Sequence, residues 1–117
     1  MRKAILQSLY RLFPFDLRGD CIVPPAKDGV RISCVINFYD RLDLLQGILC
    51  SLAEQQYPKD RFEVILIEDR GGTEAGRQMA ADFSGLLPVV YLPLDAQFGK
   101  MGYSRNFGLA RSRGEII

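Results

Sequence analysis

An α/β fold built on a mainly parallel sheet is predicted for this 117-residue chain by three observations. Residues 64–67 (VILI) are four consecutive β-prone apolar residues, the pattern of a strand covered on both faces. That run is stopped abruptly by Glu68 and Asp69, then by Arg70-Gly71-Gly72 and a helix start at Thr73. Short apolar runs also alternate with amphipathic stretches, a rhythm that means βαβ units with right-handed crossovers.

Residues 1–29 read as an N-terminal helix and an irregular arm. Ile5, Leu9, Leu12 and Phe13 fall on one stripe, with Arg2, Lys3 and Arg11 elsewhere. Such a helix either packs on the domain or on missing sequence, or lies at a membrane interface, and packing is the favoured reading. Pro14, Gly19, Pro24 and Pro25 break up residues 14–29. The regular pattern, and with it the domain of residues 30–117, begins at Val30.

Residues 31–38 are the first strand. Asp40 is expected to cap the next helix, with Asp43 assisting. Leu45, Ile48, Leu49, Leu52 and Ala53 give that helix one core face as far as about Gln56. Residues 62–67 are the second strand, and Thr73 caps a second helix that buries Ala75, Met79, Ala80 and Phe83. Gly85 suits its left-handed cap. Residues 89–92 are a third strand, followed by a turn containing Gly99 and Gly102 and a helix over 103–113 that stops at Gly114. Glu115-Ile116-Ile117 opens a fourth strand, and a chain stopping inside a strand is expected to be a truncated domain.

Composition narrows the chemistry. Hydrophobic residues make up 48% and charged residues 25%, as in a soluble globular domain, and no repeat is visible. Fifteen basic and fourteen acidic residues leave +1, which argues against nucleic acid as a partner. No apolar run approaches the roughly 18 residues that span a bilayer. Cys34 and Cys50 lie in apolar surroundings and read as buried thiols of a reducing compartment. The chain has no histidine, which removes Ser-His-Asp and Cys-His catalysis and the usual zinc sets. Chemistry must therefore run on carboxylates, backbone dipoles, Lys/Arg or an oxygen-ligated metal.

The carboxyl edge of an open α/β sheet is where ligands bind. An unpartnered buried carboxylate is costly, so Glu68 and Asp69 should emerge there. Tyr39 beside Asp40 at the end of the first strand could meet a planar ring. Lys100, Arg105 and the 99–102 loop before a helix suit a diphosphate, although the stretch is neither GxGxxG nor a P-loop.

Taken together, VINFYDR, EVILIEDRGGTE and LPLDAQFGKMGYSRNFGLARSRGEII resemble the family 2 glycosyltransferases of GT-A fold from Val30 to Ile117. Their usual pattern reads V-I-P-T-Y-N-R, then E-V-I-V-V-D-D-G-S-T-D, then G-G-V-G-A-A-R-N-x-G-x-x-x-A-x-G-E-Y-I. The resemblance implies a GT-A, Rossmann-like sheet with flanking helices, incomplete here. Phe38, Tyr39 and Asp40 fall at a nucleotide-contact segment, Glu68 and Asp69 at the Asp-Asp pair that reads the base, and Arg105 and Asn106 at the Arg-Asn. Lys100 could reach the diphosphate. Asn37 stands in place of the usual proline, Phe38 of a small hydroxyl residue, Glu68 of the first aspartate and Arg70 of a glycine, so Asp69 is the safer base contact.

The implied reaction moves a sugar from a nucleotide diphosphate sugar, a UDP-sugar by preference, to an acceptor hydroxyl with inversion. Mg²⁺ or Mn²⁺ would assist in the full-length parent. The family's Asp-x-Asp metal motif and its catalytic base lie beyond the equivalent of Ile117. No residue among the 117 is therefore nominated as catalytic or metal-ligating, and the chain alone is expected to be inactive. The implied setting is cytoplasmic, at the inner face of a membrane, with a saccharide or lipid-linked acceptor in envelope polysaccharide synthesis. The alternative is a non-catalytic nucleotide-binding fragment, or one that self-associates through its incomplete sheet. A nucleotidyltransferase is disfavoured because no glycine-rich loop comes after the first strand.

Overall fold

The computed structural model describes residues 21–23, 29–94 and 101–117, the side chains at 70 and 101–104 excepted. The helix expected over residues 1–13 lies outside the described residues, as do Gly99 and Lys100. Three strands, β1 (Ile32–Phe38), β2 (Phe62–Glu68) and β3 (Val89–Pro93), form a parallel sheet in that spatial order. Ile32 pairs with Phe62 and Phe38 with Glu68, while Val64 pairs with Val89 and Glu68 with Pro93. Among the described residues three α-helices flank the sheet: α1 (Leu42–Ala53), α2 (Glu74–Phe83) and α3 (Met101–Arg111).

β2 is central, and the period-2 alternation of a strand splits its side chains between two cores. Phe62, Val64 and Leu66 join Phe38, Val89 and Tyr91 beneath Leu45 and Leu49 of α1 and Ala80 and Phe83 of α2. On the opposite face Ile65, Ile67, Val90, Leu92 and Leu94 pack against Phe107 of α3, with Val35 alongside. An apolar run with no polar alternation is thus explained by helices on both sides.

After α3 the chain returns to the far side of β1, where Ile116 makes a parallel bridge with Ile32. The Ser33 amide donates to Ile116 O at 2.8 Å and the Ile116 amide to Arg31 O at 2.9 Å. Strands are therefore added outward from β1 to β3, and the next segment is laid down on the other side of β1. β1 is the topological switch point, and its carboxyl end is where such sheets open a ligand crevice.

The return is held by Glu63, which is fully buried at the start of β2. Its carboxylate accepts from the Ser33 hydroxyl at 2.7 Å, the Arg113 amide at 2.6 Å and Arg113 Nε at 2.9 Å. Gly114 donates to Ser33 Oγ at 2.7 Å, and a Cβ at Gly114 would lie 2.6 Å from the Ser33 backbone nitrogen. Only glycine lets the backbones approach so closely. At the other edge, Ile22 bridges Tyr91 of β3 in antiparallel fashion, its amide and carbonyl bonded to the Tyr91 backbone at 3.1 and 2.8 Å.

Several local expectations are corrected. Asp40 does not cap α1: the cap residue is Arg41, with no side-chain bond, and both residues are left-handed, at φ 61 and 36. A capping side chain needs extended backbone, which Asp40 lacks. α1 ends at Ala53, and Ile48 is 46% exposed, just outside the stripe that buries Leu45 and Leu49. In α2 the buried slot belongs to Gly76, while Ala75 is exposed. Gly85 is not left-handed, because the helix closes through Ser84 and a tightened turn in which Leu86 and Leu87 donate to Phe83 O, each at 2.9 Å. Gly102 falls inside α3, which starts at Met101. Cys50 is exposed, whereas Cys34 is half-buried and its thiol pKa is raised by burial.

Candidate functional site

The two carboxylates that end β2 have opposite fates, because the same alternation sends consecutive side chains to opposite faces. Glu68 points to the α1/α2 side and is 1% exposed. It accepts from the Thr73 amide at 2.8 Å, the Thr73 hydroxyl at 2.6 Å and the Tyr91 hydroxyl at 2.5 Å. Burial, and then the bond and charge of Glu68, push the Tyr91 hydroxyl pKa well up. Glu68 is therefore not the emerging, ligand-facing residue expected. Three donors offset its desolvation, and it serves as the anchor of the loop between β2 and α2.

That loop is held rather than loose. Asp69–Gly71 form one 3₁₀ turn, the Gly71 amide donates to Leu94 O, and Leu94 N donates to Glu68 O at 2.9 Å. Gly71 and Gly72 take φ of 89 and 77, where a side chain would be strained. Thr73 then caps α2 as expected, its hydroxyl accepting from the Gly76 amide at 3.0 Å. Asp69 is left half-buried at the rim.

From β1, Asn37 reaches the same rim, where its Nδ2 donates to Asp69 Oδ2 at 3.5 Å. In the sequence Asn37 stands out only as a departure from the family's proline. Its pairing with Asp69 depends on the β1/β2 register, which puts Asn37 opposite Ile67. Phe38 is a second correction: it is 7% exposed and its ring belongs to the core beneath α1. Tyr39 is 51% exposed, and Asp40 and Arg41 are exposed beside it on consecutive left-handed backbones. Strained non-glycine residues of this kind cluster at ligand sites.

Arg105 and Asn106 lie on α3, the first exposed and the second half-buried. They line an open groove of about 450 Å³ along the outer edge of β1, with Cys34, Val35, Leu109 and Ile117. Tyr39, Asp40 and Asp69 are not among the residues that line that groove. Among the described residues no group of three or more His, Cys, Asp or Glu could hold a metal ion. Among them, too, no helix is long and apolar enough to cross a membrane. Glu63 is a structurally decisive carboxylate that the sequence reading passes over. Its signal is a lone charge at the head of an otherwise apolar strand.

Against known proteins, the model of the family described as Glycosyl transferase family 2 matches residues 33–117. The chain is 27% identical over 88 residues to the Staphylococcus aureus poly(ribitol-phosphate) beta-N-acetylglucosaminyltransferase TarS, covering 75% of this chain and 15% of that protein. It is 26% identical over 86 residues to the glycosyltransferase AglE of Haloferax volcanii, covering 74% of this chain and 28% of the relative. It is also 26% identical over 94 residues to the probable glycosyltransferase YdaM of Bacillus subtilis, covering 78% of this chain and 22% of the relative. The chain thus spans only 15–28% of the length of these relatives. No solved structure matches it significantly. Three parallel strands between helix layers, with the chain returning to the far side of β1, are the arrangement of a partial GT-A, Rossmann-like fold. The chain belongs to glycosyl transferase family 2.

Proposed function

We propose that this chain is the donor-binding half of a glycosyltransferase that moves a sugar from a UDP-sugar to an acceptor hydroxyl with inversion, in the synthesis of a cell-envelope polymer at the inner face of a membrane. The observation that carries the proposal is the half-buried Asp69, held by a rigid loop at the carboxyl end of the switch-point strands. A carboxylate is acceptor-only, so at this rim it suits the N–H of a nucleotide base. Tyr39 offers an exposed ring just past the end of the neighbouring strand, and Arg105 with the start of α3 offers positive charge to a diphosphate. The relative TarS is named for transfer of N-acetylglucosamine to poly(ribitol phosphate), which agrees with a polymer acceptor.

The described residues do not fit the Mg²⁺ or Mn²⁺ that the family implies, since no cluster of carboxylates comes together. No step of turnover is assigned to them, and the role read for this chain is binding. Calorimetric titration of UDP into the 117-residue protein, with and without Mn²⁺, tests this reading. Expected is weak binding that Mn²⁺ leaves nearly unchanged and that Asp69→Ala abolishes. Absence of binding in a folded sample, or full binding by Asp69→Ala, overturns it.

A further inference from the structure

We infer that Tyr91 is a positioning residue for the donor site: its hydroxyl, acting through the Glu68 carboxylate, holds the turn that presents Asp69, and it does so without touching the ligand. The inference rests on the reading of Asp69 as a ligand contact and adds the group that stands behind it. Tyr91 lies on β3, 1% exposed, and shares its core with Leu45 and Leu49 of α1 and Ala80 and Phe83 of α2. Its backbone is held from both sides, by register opposite Leu66 of β2 and by two bonds to Ile22 at 3.1 and 2.8 Å. The ring is therefore a fixed post, and its hydroxyl donates to Glu68 at 2.5 Å.

Glu68 carries that fixity into the loop. Its other two donors, the Thr73 amide at 2.8 Å and the Thr73 hydroxyl at 2.6 Å, close residues 68–73 into a ring through one side chain. Bonded to Thr73 alone, this ring could rock as a unit about the end of β2. The Tyr91 bond ties its near side to the sheet interior, while the backbone bonds of Leu94 to Glu68 and Gly71 tie its far side. Asp69 is the next residue along, and the backbone of Glu68 (φ −89, ψ 114) sets its direction. A binding group has to be held to within about 0.5 Å by the packing and hydrogen bonds behind it. Gly76 makes room for the arrangement, because a Cβ there would overlap the Glu68 carboxylate. The aspartate usual in the family at this position is one methylene shorter and would stop short of the tyrosine hydroxyl, so the tie between Glu68 and Tyr91 is this chain's own.

The test is calorimetric titration of UDP into the full chain and its Tyr91→Phe, Glu68→Asp, Arg113→Ala and Asp69→Ala variants, with the double variant of the first two. Each is shown by far-UV circular dichroism to be folded at the titration temperature. Tyr91→Phe should weaken UDP about three- to tenfold, within the span of indirect effects carried by a packed network. Glu68→Asp keeps the charge but withdraws it from the tyrosine, and should lose a similar factor. The double variant should bind no more weakly than the weaker of the two single ones, because each change breaks the same tie. Arg113→Ala removes a bond to the buried Glu63 at the start of β2 and is comparably destabilising, yet it should leave UDP affinity unchanged. That control separates positioning from stability alone. Unchanged affinity in Tyr91→Phe, an equal loss in Arg113→Ala, or losses that multiply in the double variant overturn the positioning role. The donor-site reading stands in those cases if Asp69→Ala abolishes binding. No binding of UDP by the folded wild type overturns the donor-site reading and this inference together.

Discussion

Replacing Tyr91 by phenylalanine removes one oxygen from the interior and leaves the ring in place. Tyr91 is 1% exposed, and its hydroxyl is one of three donors to the buried carboxylate of Glu68, at 2.5 Å. A hydrogen bond to a charged group contributes about 1.5–3 kcal/mol. No cavity larger than a hydroxyl is left, so the loss should fall in that range. For a domain of this size each kcal/mol moves Tm by roughly 4–8 °C, so a fall of about 6–24 °C is expected.

The same variant should change how stability depends on alkali. Burial and Glu68 raise the Tyr91 pKa above its ordinary 10.0. The unfolded chain therefore loses this proton first, and ionisation favours it. The contribution is fully present below about pH 10 and is lost above it, by at most about 1.4 kcal/mol per pH unit. Tyr91→Phe lacks this component, so the gap between the two proteins should narrow above about pH 10. Thermal denaturation measures the first effect and urea denaturation across neutral to alkaline pH the second, both followed by circular dichroism. An unchanged Tm, or an identical alkaline decline in the two proteins, would refute the claim that Tyr91 anchors Glu68.

Three further outcomes are expected. Arg113→Ala should cost about 3 kcal/mol in urea denaturation, the low end for breaking a buried pair, because Glu63 is 1% exposed but Arg113 is 32% exposed; a loss below about 1 kcal/mol would mean that the Ser33 hydroxyl and the backbone amide at position 113 satisfy Glu63 without the guanidinium. Gly72→Ala should cost about 1–3 kcal/mol, since φ 77 with ψ 154 is accessible in practice only to glycine; a neutral result would show that the turn can relax. Thr73→Ala removes both the cap of α2 and a donor to Glu68, and should lower stability by more than the roughly 1 kcal/mol of an ordinary cap; a loss no greater than that would detach the cap from the Glu68 network.

The parts of the fold that one element dictates by itself are legible in the sequence. The buried strand at 64–67, the Thr73 cap and the strand–helix alternation all depend on residues near one another in the chain. The features that escape it depend on pairing between distant segments. Whether Glu68 or Asp69 faces solvent is decided by strand parity at the end of β2. Because Tyr91 and Thr73 supply donors, the rule against buried carboxylates does not expel Glu68. The family resemblance leads one to expect Phe38 at a nucleotide-contact segment, yet the same parity turns its ring into the core. Asp40 has the residue type of a cap but not the backbone, which two left-handed residues take up in leaving β1. Asn37 gains its meaning only once β1 and β2 are set side by side.

Along the outward side of β3, no residue has an N–H left to give a foreign strand, and for a different reason each time. The Val89 amide donates to Leu87 O at 2.9 Å, the Tyr91 amide to Ile22 O at 2.8 Å, and Pro93 has no N–H to offer. The sheet is consequently polarised: the donors of β3 are spent, whereas the β1 flank takes on a parallel neighbour at Ile116. Ile22 and its described neighbours therefore work as a selvedge. Trimming it back past Ile22 would unpick the middle stitch and turn a finished border into an adhesive one.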